Sequence, residues 1–239
     1  MVECMPIGKK EKDMKIPFVN KEKEEDIKAI RPNTLGWLEK KLSDQEMDYL
    51  WRCIENKKEN YKRNLCGVVN TSAASNLLLD RSDWFFHNTI KTLCYQYEKE
   101  FTNLGSRIPT FTSHPYILSD MWVNYQKQHE FIALHNHGGV YSFVIWMKIP
   151  TYSSQQRKNP MAFDPGGRMA HAYISNFEFE YINIVGELNG HIYEMNPNLE
   201  GTMLFFPSRL KHMVYPFYNC DETRISISGN ISLNTSKKL

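Results

Sequence analysis

The feature that most constrains this fold is a change of hydrophobic period near Gly105. Before it, apolar residues recur with helical spacing; after it, they fall in short β-branched and aromatic runs broken by Gly, Pro and Asn. The runs expected as strands are Ile117–Tyr125, Val140–Ile149, Phe177–Val185, Thr202–Phe206 and Arg224–Ile231. No crossover helix alternates with them, which excludes a parallel α/β sheet. Helices first and many antiparallel strands afterwards predict a mainly β sandwich or barrel, buttressed by N-terminal helices. Asn189-Gly190, ahead of His191–Met195, is the expected two-residue turn of a hairpin.

The first helix is expected to open at Ser43. Glu46 stands three residues on as a capping-box partner, and Met47, Leu50, Trp51 and Ile54 form one stripe. A second is expected from near Ser82-Asp83, carrying Phe86, Ile90, Leu93, Cys94 and Tyr97. Residues 1–35 read as a charged arm, with one possible edge strand at Ile16–Val19. Residues 36–239 read as a single domain, with helical support over 36–104 and the β core over 105–235.

Composition narrows the function classes. With 41% hydrophobic residues over 239 positions the chain can bury a sizeable core. A net charge of +2 gives no basic footprint for nucleic acid, and no apolar run is long enough to span a membrane. The first fifteen residues contain no apolar segment of a secretory signal. The five cysteines (Cys4, Cys53, Cys66, Cys94 and Cys220) never form a CxxC pair, which points to reduced thiols in a cytoplasm.

Histidine supplies the chemistry. In His135-Asn136-His137 the two imidazoles are separated by two, so an extended backbone turns them to one side. Two neutral imidazoles there make half of a transition-metal site, although such a pair can equally be ordinary surface histidines. His212 follows the buried run Gly201–Phe206 and Pro207, where it could reach a barrel mouth or cap a core. Arg224, Ser226, Ser228 and Asn230 alternate onto one face of the last strand. A polar face ending in Arg can seat a carboxylate through paired hydrogen bonds, and it can also be a strand face in water. Residues 151–170 form a polar, Gly/Pro-rich loop containing Arg157, Lys158, Asp164 and Arg168. A loop of that length is either functional or disordered.

In this order, Trp122-Val-Asn-Tyr125, His135-Asn-His137, Phe206-Pro-Ser208, His212 and Arg224-Ile-Ser226 resemble the Fe(II)/2-oxoglutarate-dependent dioxygenase superfamily. The likeness is to its prolyl-hydroxylase-like branch, often encoded by bacteria and their phages. It implies a double-stranded β-helix (jelly-roll) core and an oxygenase using Fe(II), 2-oxoglutarate and O2. Hydroxylation of a peptide or small molecule with release of succinate and CO2 is the expected activity, in a bacterial or phage-infected host cytoplasm. His135 and His212 match the outer metal ligands, and Arg224 with Ser226 matches the clamp on the far carboxylate of 2-oxoglutarate. Tyr125 matches a tyrosine that reaches the same carboxylate, or is simply a strand aromatic. Beyond the metal ligands the resemblance implies no further catalytic residue.

The departure is His137, which stands where the family has Asp or Glu. Either His135, His137 and His212 form a three-histidine site, or a carboxylate such as Asp164 completes the set and one of the paired histidines stands behind it. The long loop, through Arg157, Lys158, Asp164 and Arg168, is a weaker candidate for touching substrate. Two other readings stay open: a cupin-type metalloprotein and a non-catalytic phage jelly-roll module.

Overall fold

The computed structural model describes residues 28–30, 32–57, 75–160 and 173–236. The expected edge strand at Ile16–Val19, Cys4, Cys66, Asp164 and Arg168 lie outside these residues. The described residues from Leu35 onward belong to one compact unit.

Among the described residues, ten strands make two antiparallel sheets. They are β1 (Leu38–Lys41), β2 (Ser75–Leu77), β3 (Tyr116–Gln126), β4 (Ile132–His135), β5 (Tyr141–Lys148), β6 (Phe177–Ile182), β7 (Leu188–Tyr193), β8 (Thr202–Pro207), β9 (Lys211–Val214) and β10 (Arg224–Leu233). The six-stranded sheet runs β1-β8-β5-β10-β3-β2, and the four-stranded sheet runs β4-β9-β6-β7. β10 is therefore an interior strand, bonded to β3 and β5 on its two sides. The polar face of β10 turns away from the helices rather than out to water.

Helix α1 (Asp44–Glu55) starts as the sequence predicts. The Ser43 amide donates to Glu46 Oε2 at 2.7 Å and the Glu46 amide donates to Ser43 Oγ at 3.3 Å. The second helical segment departs from expectation at its start. Ser82 and Asp83 both have positive φ, and the cap is Asp80, whose carboxylate accepts from the amides of Phe85 and Phe86 at 2.9 Å each. A π-turn over Phe86–Ile90 precedes α2 (Lys91–Glu100). The wider turn shifts the stripe: Phe85 is fully buried, whereas Phe86 only packs against the rim of the core.

The expected hairpin forms between β6 and β7, but not at Asn189-Gly190. Those two residues pair inside β7 with Tyr181 and Glu180. The turn is Asn183–Glu187, where Asn183 Oδ1 accepts the amides of Val185 and Glu187 at 3.0 and 2.9 Å and Gly186 takes φ +85°. Gly190 is needed for space instead. A Cβ there would overlap the carboxyl of Glu178, whose other oxygen accepts from Tyr215 Oη at 2.8 Å.

Two apolar clusters result. The larger lies between the helices and the six-stranded sheet, with Leu50, Phe85, Tyr97, Tyr141, Phe143, Phe205 and Ile227 closed off from solvent. The smaller lies between the sheets, around Trp146, Phe177, Phe179, Leu204 and Phe206. The three histidines border this smaller cluster.

Candidate metal and anion site

His135 ends β4 and is in register with His212 of β9; His212 is in turn in register with Phe179 of β6. His137 lies two residues past the end of β4, fixed by its amide donating to the carbonyl of Ser208 at 2.8 Å. Antiparallel pairing thus brings His135 beside His212, and the Nε2 atoms of His137 and His212, 75 apart in sequence, are 3.3 Å apart. One ligating nitrogen from each of the three histidines lies within 4.8 Å of the other two.

Hydrogen bonding sets the tautomers. His135 Nδ1 is 2.7 Å from the Ala133 carbonyl and His212 Nδ1 is 3.0 Å from the Leu210 carbonyl. A carbonyl only accepts, so both Nδ1 atoms carry the proton and both Nε2 lone pairs are free. This arrangement, a carbonyl behind each ring, orients imidazoles for a metal. Burial keeps all three neutral. It pushes His212 far below the usual imidazole range, helped by His135 and His137. Burial, with His135, also holds His137 at about 4, and burial lowers His135.

The rings of Phe206 and Phe177 stand 4.9 and 5.8 Å from His212, and Trp122 stands 5.7 Å from His137. Beside them is a cavity of about 40 Å3, also bordered by Asn124, Trp146, Ser226 and Ser228. The indole Nε1 of Trp146 is buried there without a hydrogen-bond partner. A wider groove of about 910 Å3 runs between α2 and residues 103–118, and it borders none of His135, His137, His212 and Arg224.

Arg224 is 1% exposed and Ser226 8% exposed. The guanidinium does not border the cavity directly. Its Nη2 donates to the carbonyl and hydroxyl of Ser175 at 2.8 Å each, and Nη1 donates to Gln126 Oε1 at 3.3 Å. Its plane lies 4.9 Å from the Phe217 ring, and its Nε is buried without a partner. None of the ion pairs among the described residues includes it. Burial lowers its pKa to about 9, which still leaves it charged at neutral pH.

Tyr125 is not at this site, which corrects the expectation. Alternation along β3 turns Trp122 and Asn124 to the cavity and Tyr125 to the helical side, where it packs on the larger cluster. Its hydroxyl accepts from Lys57 Nζ at 3.2 Å. In the long loop, Arg157 is paired with Glu194 and Lys158 is exposed. Neither borders the cavity. Sequence reasoning missed Asn124 and Ser175. The alternation Trp122-Val-Asn124 was the available signal for the first.

The donor set fits the groups that the sequence resemblance implies. Three neutral imidazole nitrogens suit Fe(II). A buried guanidinium lacking a carboxylate, with one N–H unused, suits an anion.

No curated protein sequence matches the chain. Three solved structures illustrate its structural likeness. A non-heme alpha-ketoglutarate-dependent epimerase, SnoN from nogalamycin biosynthesis, is 13% identical with a TM-score of 0.50, covering 84% of this chain and 78% of that one. A Trichoplax adhaerens prolyl hydroxylase, solved with a hypoxia inducible factor peptide fragment, is 13% identical with a TM-score of 0.49, covering 83% of each chain. A Pseudomonas putida prolyl-4-hydroxylase is 14% identical with a TM-score of 0.46, covering 84% and 94%. The fold is the double-stranded β-helix. Residues 120–230 match the family described as "Putative 2OG-Fe(II) oxygenase", so over the stretch that carries all three histidines and Arg224 the chain is similar to the 2OG-Fe(II) oxygenases.

Proposed function

We propose that the chain is an oxygenase that uses Fe(II), 2-oxoglutarate and O2 to hydroxylate a peptide or small molecule. The observation that carries this reading is the meeting of His135, His137 and His212 at the edge of a cavity, inside the stretch similar to that family. Bound there, the iron with its two cosubstrates would supply the oxidising power that converts C–H to C–OH, with 2-oxoglutarate leaving as succinate and CO2.

The chain's own part is to bind, orient and keep dry. His135 and His212 present Nε2 because Ala133 and Leu210 hold their Nδ1 protons. His137 takes the third place, where the family has a carboxylate, so the protein contributes no negative charge to the metal. Arg224 and Ser226 hold the far carboxylate of 2-oxoglutarate, and Trp146, whose buried indole N–H has no partner, borders the cavity. Phe177, Phe206 and Trp146 exclude water from the reacting atoms.

The test is anaerobic loading with Fe(II), then addition of 2-oxoglutarate and air with panels of peptides and metabolites. Stoichiometric iron and substrate-stimulated succinate are expected. Absence of iron binding by a folded protein would overturn the reading.

A further inference from the structure

Arg224 meets no carboxylate among the described residues, yet its Nη2 is fully committed. That nitrogen has two hydrogens, and Ser175 supplies two acceptors, its carbonyl and its hydroxyl, each at 2.8 Å. Thr151 Oγ1, 3.1 Å from Ser175 Oγ, steadies the hydroxyl. Two oxygens of one residue thus occupy Nη2 much as the oxygens of a carboxylate would. Both flat forks of a guanidinium, Nη1 with Nη2 and Nε with Nη2, include Nη2. A ligand carboxylate can form two parallel bonds only if it displaces an oxygen of Ser175. The buried Nε without a partner leaves one arm of such a fork unused.

Two further observations bear on the same residue. Ser175 has φ +65°, a left-handed conformation that residues other than glycine seldom adopt. It is also two residues from Phe177, the first residue of β6, whose ring borders the histidine cavity. At about 40 Å3 that cavity has room for roughly three water molecules, less than a five-carbon diacid fills.

We propose that Ser175 is a placeholder for a carboxylate on Arg224. An incoming dicarboxylate exchanges with it, residues 175–177 move, and the Phe177 side of the cavity opens. Ser175 is thereby a positioning residue that acts through Arg224; the inference rests on Arg224 being the 2-oxoglutarate anchor.

Ser175→Gly removes the competing hydroxyl and suits the positive φ. Anaerobic calorimetry of 2-oxoglutarate on the Fe(II)-loaded protein should show this variant binding roughly tenfold or more tighter than wild type, the size of one released hydrogen bond to a charged group. Amide exchange over residues 173–179 of the wild type should rise when 2-oxoglutarate is added. Affinity equal to or weaker than wild type overturns the exchange. If the variant does not fold, unchanged amide exchange in the wild type overturns it instead. Arg224→Ala separates the two levels. If it leaves the affinity intact, the anchor itself is wrong. If it weakens binding while Ser175→Gly has no effect, only the placeholder falls.

Discussion

Strands β5, β8 and β10 each serve two surroundings at once. On β5, Tyr141, Phe143, Ile145 and Met147 face the helices, while Ser142, Val144 and Trp146 face the second sheet. On β10, Ile227 and Ile231 go to the helical side, and Arg224, Ser226 and Ser228 go to the other. The helical side is closed by aromatic contacts such as Tyr141 to Phe205 at 5.0 Å and Tyr97 to Tyr141 at 5.0 Å. The intersheet side is also buried, but it keeps a small cavity, three neutral imidazoles and a charged guanidinium. The same backbone ladder therefore carries stability on one face and binding groups on the other. Groups buried without their full complement of partners, as on the second face, are costly for folding and available for ligands.

The sharpest way to break this contrast is to cross two truncations. His212→Ala should abolish stoichiometric metal binding while leaving a cooperatively folded protein. Phe205→Ala, on the helical face of β8 and fully buried, should cost about 3–5 kcal/mol of stability but still bind metal in its folded fraction. Denaturant unfolding and metal analysis of both variants read this out. Metal retained by His212→Ala, or metal lost from folded Phe205→Ala, would end the division of labour.

Arg224→Ala comes next. Removing one partner of a buried charged pair costs on the order of 2–5 kcal/mol, so 2-oxoglutarate should bind well over tenfold more weakly. Arg224→Lys should recover only part of this, because the fork is gone.

The two sides should also lose stability in different acid windows. Burial pushes the Glu46 carboxyl up, but Lys40, Thr89 and Ser43 outweigh it and hold the pKa at about 2 instead of the ordinary 4.5. A depressed carboxylate contributes stability that is whole above pH 4.5 and fades as pH falls toward about 2, on the order of 3 kcal/mol in all. The histidines act earlier. The unfolded chain takes up their protons near pH 6.5, while the fold resists until about 4 at His137. The unfolded state then binds more protons, so stability of the metal-free protein should fall between pH 6.5 and 4. His137→Gln should make that first window shallower, with His135 and His212 still contributing, and Glu46→Gln should affect only the second, as followed by melting temperature. Identical profiles for wild type and His137→Gln would mean that cavity burial does not set the first window.

Much of this was legible in the sequence because it is periodic. His135 and His137 could be paired by strand geometry, the polar face of β10 by alternation, and the start of α1 by its capping box. The failures have local causes. Asn189-Gly190 carries a turn signal, but Gly190 is there to admit the Glu178 carboxyl, a neighbour on another strand. Ser175 joins Arg224 across 49 residues with no period to reveal it. Arg224 was placed on the right face, whereas its Ser175 partner belongs to the tertiary structure alone.

Tyr125 gives the smallest and most discriminating test, because the resemblance puts it at the site while the alternation of its own strand turns it away. β3 skips one residue opposite the Asn230–Ile231 step of β10, but from Asp120 to Gln126 its alternation is unbroken. Tyr125→Phe removes only a hydroxyl that accepts from exposed Lys57, so it should change stability by less than about 0.5 kcal/mol. It should leave 2-oxoglutarate affinity unchanged. Asn124, one residue away, accepts from Ser75 Oγ at 2.9 Å and donates to Ser228 Oγ at 3.3 Å on the cavity wall. Asn124→Ala leaves those hydroxyls unpaired and should cost about 1–3 kcal/mol, with altered binding in the cavity. Calorimetry on the two variants decides between the faces. A loss of 2-oxoglutarate affinity in Tyr125→Phe, with Asn124→Ala unaffected, would mean that β3 is rotated by one residue from the register in which it pairs Tyr125 with Ile225.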